Sequence, residues 1–104
     1  MNALDNAFAA LADPTRRRII SKLARGSARV TDLAAPFDMS LNAISKHVKV
    51  LERAGLVHRK RHGREHVLTL HGAPMREVVS WLSRYERFWN TKLDALGEFL
   101  KSTD

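Results

Sequence analysis

The segment 40–63 constrains the fold most strongly, because a helix with one apolar face is followed at once by a short basic turn. Ser40 can cap this helix by accepting a backbone N–H bond, and Gly55 is typical of the position where a helix ends. Apolar residues spaced i, i+4 and i+7 predict that one face belongs to the core, while polar residues cover the other. The apolar residues are Ile44, Val48 and Leu51, and the polar ones are Asn42, Ser45, Lys46 and Lys49.

Two short strands are predicted next, over 57–61 and 65–70, joined at Gly63. Basic side chains crowd this hairpin, and a single acid, Glu65, stands among them. Such a cluster repels itself unless an anion relieves it, which favours contacts with phosphate or with a minor groove. The alternative is an exposed turn that only adds solubility. The basic residues are Arg59, Lys60, Arg61 and Arg64.

Two helices are predicted before residue 27. Asn2 is the expected N-cap of the first, over 2–12, and Asp13-Pro14 is a strong start signal for the second. Gly26 is expected to end the second helix. The buried face of the second helix is predicted to consist of Ile19, Ile20, Leu23 and Ala24.

A short helix over 30–37 and a long last helix over 74–101 complete the pattern. The order α-α-α-α-β-β-α, mainly helical with a small β-hairpin, is that of a homodimeric winged helix-turn-helix. We expect residues 1–104 to form a single domain. Its helix-turn-helix would span about 30–54, its wing about 57–70, and its dimerisation helices about 2–12 and 74–101.

This arrangement points to double-stranded DNA as the partner. A recognition helix must fit the major groove and present short or hydrogen-bonding side chains near its N-terminus. The chain also has a formal net charge of +7, which suits a polyanionic partner. Ordinary solvated helix positions are the alternative explanation. The candidate recognition residues are Ser40, Asn42, Ser45, Lys46, His47 and Lys49.

The last helix predicts a second interface, because its apolar stripe is longer than one small domain can easily cover. The first helix is the natural element to pair with it, and a twofold dimer would set two recognition helices about 34 Å apart. A stripe buried entirely within one chain is the alternative. The candidate interface residues are Leu4, Phe8, Leu11, Trp81, Tyr85, Phe88, Trp89, Leu93 and Leu96.

Several functions are disfavoured by what the sequence lacks. It has no Cys, so disulfides, thiolate metal sites and a Cys nucleophile are impossible. His58 and His66 could face each other across the hairpin, but nothing completes a set of metal ligands, so no metal and no cofactor are predicted. No catalytic motif is visible, and an enzyme is not expected. Without a signal peptide or an apolar span, we expect a cytoplasmic protein with no membrane partner.

Two segments, 10–17 (ALADPTRR) and 44–57 (ISKHVKVLERAGLV), resemble the ArsR/SmtB family of bacterial winged-helix repressors. The resemblance covers nearly the whole chain. It implies a homodimer packed through the first and last helices, a DNA-reading fourth helix, a wing at 58–70, and repression at an imperfect inverted repeat near its own promoter. Family metal sensors carry a Cys-x-Cys near the third helix or His-containing pairs on the last helix. Residues 27–33 contain no Cys and residues 74–101 no His, and the segments 36–40 (PFDMS) and 86–89 (ERFW) resemble a subgroup of the family that lacks metal sites.

Two alternative functions and one further candidate contact stay open at this stage. A winged-helix module that docks another protein through its aromatic last helix is one, although such a module has no need of clustered arginines. A sensor of an unidentified small ligand, held near Trp81 and Trp89, is another, although dimer core explains these aromatics more simply. In the run 16–18, Arg17 or Arg18 is a candidate phosphate contact, with solvated charge as the simpler interpretation.

Overall fold

The computed structural model describes residues 2–102 of the chain. Its elements follow the predicted order with one addition, a short strand before the third helix. None of its helices combines the length and the apolar character needed to cross a bilayer. The elements are α1 (Ala3–Leu11), α2 (Pro14–Leu23), β1 (Ala28–Arg29), α3 (Val30–Ala34), α4 (Leu41–Arg53), β2 (Val57–His62), β3 (Glu65–Leu70) and α5 (Gly72–Ser102).

Side-chain caps fix the starts of three helices, as the sequence predicted. Asn2 accepts from the backbone N–H of Asp5 (2.9 Å) at the start of α1. Asp13 accepts from the N–H of Arg16 (3.0 Å) at α2. Ser40 accepts from the N–H of Ala43 (3.1 Å) at α4. Each cap satisfies an N–H that has no partner inside its helix, so these boundaries are encoded locally.

The C-terminal end of α4 is closed by a glycine motif. Gly55 has a φ of 76°, which a glycine adopts without steric cost. Its N–H donates to the carbonyl of Glu52 (3.0 Å), and the N–H of Leu56 donates to that of Leu51 (3.0 Å). This pair of bonds is a Schellman motif, and the fully buried side chains of Leu51 and Leu56 accompany it. The chain therefore leaves α4 in a fixed direction toward the sheet.

The sheet has three antiparallel strands in the order β1-β3-β2. The sequence missed β1, because two residues are too few to show an alternating pattern. The expected juxtaposition of His58 and His66 is wrong, since the register pairs His58 with Thr69 and His66 with Arg61. The hairpin closes through a two-residue turn with Gly63 at a φ of 62°, the glycine-favouring first position of a type II′ turn.

Two predicted helix boundaries are also corrected. The third helix ends at Ala34 rather than at 37, because Pro36 has no N–H to continue the hydrogen-bond ladder. The last helix begins at Gly72, two residues before Pro74, which occupies a first-turn position where no N–H is required. His71 donates its N–H to the carbonyl of Leu56 (2.8 Å), which anchors the chain just before this start.

The core lies between α1, α2, α3, α4 and the sheet. Predicted core positions on α4 are confirmed, and so is most of the buried face of α2. Ala24 is exposed instead, because α2 ends at the residue before it. The largest fully buried side chains are Ile19, Ile44, Val48, Leu51, Leu56 and Leu68.

The last helix projects from this core. It has 31 residues, a length of about 46 Å, and Val78 is its one buried residue. The radius of gyration is 17.9 Å, against about 13 Å for a compact chain of this size. Apolar side chains on the projecting part are exposed, including Trp89 at 59% and Leu93 at 61%.

Replacing Gly55 with Ala should destabilise the fold. A Cβ here is strained at positive φ and would lie 3.4 Å from the Cγ of Pro74, so we expect a loss of about 1–2 kcal/mol in the free energy of unfolding. Gly72→Ala is the control, because it adds a Cβ to open space and should leave stability equal or up to about 1 kcal/mol higher. Urea denaturation at one protein concentration measures both, and equal stabilities would contradict this account of the α4 end.

Candidate nucleic-acid interface

The polar face of α4 is presented to solvent along its length. Asn42, Lys46 and Lys49 are exposed, while Ser45 and His47 are half-buried at the edges of that face. The capping hydroxyl of Ser40 is engaged with the backbone at the start of the helix. This end of α4 carries free backbone N–H groups and the positive end of the helix dipole, both of which suit an anion.

The tip of the hairpin carries three of the four predicted wing cations. Lys60, Arg61 and Arg64 are all exposed. Arg61 donates from Nε to the carbonyl of Gly63 (3.1 Å), which leaves its two terminal nitrogens available. Three cations on a rigid two-stranded tip form a compact positive surface, of the kind that binds phosphate oxygens.

Arg59, the fourth wing cation, is half-buried and forms an ion pair, whereas the other three are exposed. Its guanidinium binds the carboxylate of Glu52 on α4, with the closest pair of atoms 2.7 Å apart, and also approaches Nδ1 of His66 (3.2 Å). Both partners of the ion pair are about three-quarters covered. Arg59 therefore fixes the hairpin against α4, a role that the run of basic letters did not reveal.

A second ion-pair group secures the other side of the hairpin. Arg29 on β1 contacts Asp32 (2.8 Å) and Glu65 (2.8 Å), and these carboxylates, Asp32 first, raise its pKa. Sequence reasoning missed this arginine, because the strand that carries it was not recognised. Arg29 and Arg59 line a cleft of about 290 Å³ between α4 and the wing, together with Ser45, Arg64 and His66.

His47 is directed toward α2 and is less available to DNA than its neighbours on α4. Its Nδ1 lies 3.3 Å from a terminal nitrogen of Arg16 and 3.8 Å from the carboxylate of Asp13. The backbone N–H of Arg16 is the main reason why the pKa of Asp13 is lowered, and His47 contributes to the shift. This contact joins the start of α2 to the middle of α4.

Arg16 also holds α1. Its Nε donates to the carbonyl of Ala10 (2.6 Å) and a terminal nitrogen donates to that of Ala9 (3.3 Å). These carbonyls belong to the last turn of α1, where helix acceptors have no partner within the helix. In the sequence Arg16 looked like one member of a basic run, and no local signal distinguished it from its two neighbours.

The candidate dimer residues lie on α1 and along the projecting face of α5. Phe8 of α1 packs edge-to-face on Trp81 (centroids 5.7 Å), and Trp81 contacts Tyr85 (4.9 Å). Leu4 and Leu11 are half-buried. The members farther along α5 all have more than half of their surface exposed: Phe88, Trp89, Leu93 and Leu96.

The histidines beside the hairpin do not form a metal centre. The rings of His58 and His71 meet edge-to-face, with centroids 4.3 Å apart. Nowhere in residues 2–102 do three histidine or acidic side chains converge as ligands would. Two imidazoles are fewer than a structural or catalytic zinc site requires.

Replacing Glu52 with Gln should lower the stability of the fold and raise its affinity for DNA. The change removes the partner of part-buried Arg59, so we expect the free energy of unfolding to fall by about 1 kcal/mol. It also removes a negative charge beside the cationic wing, so affinity for random duplex at low salt should rise. Glu77→Gln removes the same charge from α5 and should change neither quantity appreciably. Chemical denaturation and fluorescence anisotropy measure the two effects, and unchanged stability would contradict the positioning role of Arg59.

Comparison with known proteins places this architecture among transcriptional regulators. A family model described as a helix-turn-helix domain matches residues 11–60. The HTH-type transcriptional regulator Rv2034 of Mycobacterium tuberculosis is 36% identical over 98 residues, which are 94% of this chain and 89% of that protein. The transcriptional repressor SdpR of Bacillus subtilis is 29% identical over 82 residues, 79% of this chain and 91% of that protein.

Solved structures give the same result. The crystal structure of an ArsR family transcriptional regulator matches with a TM-score of 0.78 at 38% identity, over 86% of this chain and 98% of that one. A homodimeric winged helix-turn-helix DNA-binding domain from Mycobacterium bovis shares the fold, with a TM-score of 0.65 at 24% identity over 89% and 83% of the two chains. With similarity in sequence and fold over nearly its whole length, this chain belongs to the ArsR/SmtB family of winged helix-turn-helix transcriptional regulators, which bind DNA and are not enzymes.

Proposed function

We propose that this regulator is a homodimeric repressor that binds an inverted-repeat operator without a metal ion. The observation that carries the proposal is the adjacency of two exposed surfaces, the polar face of α4 and the cations at the wing tip, which meet at one cleft lined by Ser45 and Arg64. An α-helix fits the major groove, and a basic hairpin beside it reaches the flanking backbone or minor groove. The proposed layout is a helix-turn-helix over 30–54 and a wing over 57–70 within one domain of residues 1–104.

The recognition residues divide by chemistry. Asn42, Ser45 and Lys46 are the proposed base-reading residues, since amide, hydroxyl and ammonium groups can hydrogen-bond to base edges. Ser40 caps the start of the helix, and His47 holds α4 against α2 through its contact with Arg16. Lys49 and the wing cations Lys60, Arg61 and Arg64 are the proposed phosphate contacts, while Arg59 supports the wing through Glu52.

The homodimer is supported by the uncovered face of α5. A monomer would leave a row of aromatic and aliphatic side chains in water, from Trp81 through Leu93 to Phe99. Burying each such side chain contributes about 1.5–3 kcal/mol, so pairing with a second copy is strongly favoured. The Mycobacterium bovis neighbour with this fold is homodimeric. Two copies would bring two α4 helices to successive major grooves, about 34 Å apart.

Repression and independence of metal rest on other observations. The similarity to the repressor SdpR supports repression. Metal independence is supported by the ligand inventory, since the chain has no Cys and residues 74–101 have no His. Because its relatives are bacterial transcriptional regulators, the proposed location is the cytoplasm, where the bacterial chromosome lies.

Substitutions on α4 and on the wing should have different effects on DNA binding. Asn42→Ala should reduce discrimination between operator variants by about 1–3 kcal/mol at one base pair. The double change Arg61→Ala with Arg64→Ala should weaken binding to operator and random duplex alike and make the salt dependence shallower. Anisotropy titrations at several salt concentrations distinguish the two patterns. An unchanged salt slope would remove the wing from the proposed interface, and unchanged discrimination would remove Asn42.

Leu93→Asp should break the dimer. It places a charge on the exposed apolar face of α5, where burial without a partner is costly. We expect a monomer in sedimentation velocity and a loss of operator affinity, because two half-sites would no longer be bound together. Thr91→Asp adds the same charge on the polar face of α5 and should stay dimeric. A wild-type chain that sediments as a monomer would instead assign this face to a different protein partner.

A further inference from the structure

The outer face of α2 carries a concentrated positive charge that the proposed interface does not use. Four basic side chains on this side of the molecule line a shallow groove of about 520 Å³, together with Pro14 and Ser21. No acidic residue lines the groove. We call this surface the α2 basic face, and it consists of Arg17, Arg18, Lys22 and Arg25.

Like the cations at the wing tip, those of the α2 basic face have no acidic partner among the described residues, in contrast to two other arginines. Arg29 and Arg59 are each paired with carboxylates at 2.7–2.8 Å. Among residues 2–102, the four cations of the α2 basic face form no ion pair. Arg17 donates one bond to the carbonyl of Leu11 at the end of α1 (2.8 Å), which is a helix-end acceptor and not a carboxylate. The surface is therefore a concentrated positive potential, suited to a polyanion.

Contacts with the turn between α3 and α4 hold part of this face in place. The guanidinium of Arg18 lies 4.4 Å from the ring centroid of Phe37, and the ammonium of Lys22 lies 5.7 Å from it. Phe37 is buried in the turn that leads into α4. These cation–π contacts reduce the conformational entropy that the two side chains would lose on binding.

The start of α2 also lies beside the N-terminal end of α4. The hydroxyl of Thr15, in the first turn of α2, contacts the sulfur of Met39 (4.0 Å), which directly precedes the cap residue Ser40. A duplex seated against the N-terminal end of α4 is therefore brought next to the start of α2.

We infer that the α2 basic face is a second phosphate-binding surface, which grips the DNA backbone beside the groove that α4 enters. This inference rests on the proposed function. Contacts with phosphate position a protein on DNA without reading sequence. The α2 basic face would accordingly add affinity for every duplex and leave the preference for the operator to α4.

The test neutralises three of the four charges and keeps the shorter of the two cation contacts with Phe37. The variant Arg17→Gln, Lys22→Gln, Arg25→Gln keeps Arg18 on its aromatic ring. The matched control, Arg76→Gln, Arg84→Gln, Arg87→Gln, removes the same charge from α5. Both are titrated as dimers against operator and random duplex at several salt concentrations. For the α2 variant we expect the salt slope to fall by about one for each phosphate that the protein no longer binds, equally on both duplexes. The control should keep the wild-type slope.

A second measurement locates the DNA directly. Since the chain has no cysteine, Ser21→Cys in the middle of the face can carry an iron chelate that cleaves nearby DNA. Ser80→Cys, exposed on the polar side of α5, is the matched control. We expect cleavage of operator DNA from position 21 and none from position 80.

The outcomes separate this inference from the proposed function. Salt slopes equal to wild type in the α2 variant, or no cleavage from position 21, would overturn the inference while operator binding stands, and would assign the face to an acidic protein instead. A wild-type chain that binds operator and random duplex equally would refute the operator proposal. In that case a smaller slope in the α2 variant would still identify the face as a DNA contact.

Discussion

The structure depends on one helix being fixed at both ends and buried along one side. Ile44, Val48 and Leu51 of α4 are fully buried, and each contributes about 1.5–3 kcal/mol through removal from water. The Ser40 cap and the Gly55 turn set where the helix starts and stops. Because its rotation and its ends are fixed, the opposite face presents its polar groups in a defined order. The same contacts that stabilise the core therefore define the surface that is proposed to meet DNA.

The arginines show how one residue type serves three purposes in a small chain. Arg16 and Arg59 bridge elements, the first between α1 and α4 and the second between α4 and the hairpin. Arg61 and Arg64 remain exposed at the wing tip. Those on the outer side of α2 lack acidic partners in the part of the chain that the structure describes. A net positive charge alone cannot distinguish these uses, because the difference lies in the acceptors that each guanidinium reaches: carbonyls and a histidine for Arg16, a carboxylate for Arg59, and no acidic group for the others.

Features that depend on local interactions could be predicted from the sequence, whereas features that depend on distant interactions could not. Caps, apolar periodicity and glycine turns act over a few residues, so the order of the helices, the hairpin and the core face of α4 were predicted correctly, while the end of α3 and the start of α5 were not. The strand at Ala28 was missed because it exists only through pairing with Leu68. The role of Arg29 depends on Glu65, 36 residues away, and that of Arg16 on His47, 31 residues away. Such partners meet only after the chain folds, so no local pattern announces them.

The two proposed interfaces are physically connected through the start of α2. Arg16 binds the last carbonyls of α1, and its guanidinium contacts His47 on α4. Phe8 of the same α1 packs on Trp81 of α5. The proposed dimer face and α4 are therefore joined through α1, by the side-chain contacts of Arg16 and by the shared core that includes Ala7, Ala10 and Val48. Two α5 helices paired as proposed would hold α4 in a fixed position relative to the dimer through these contacts.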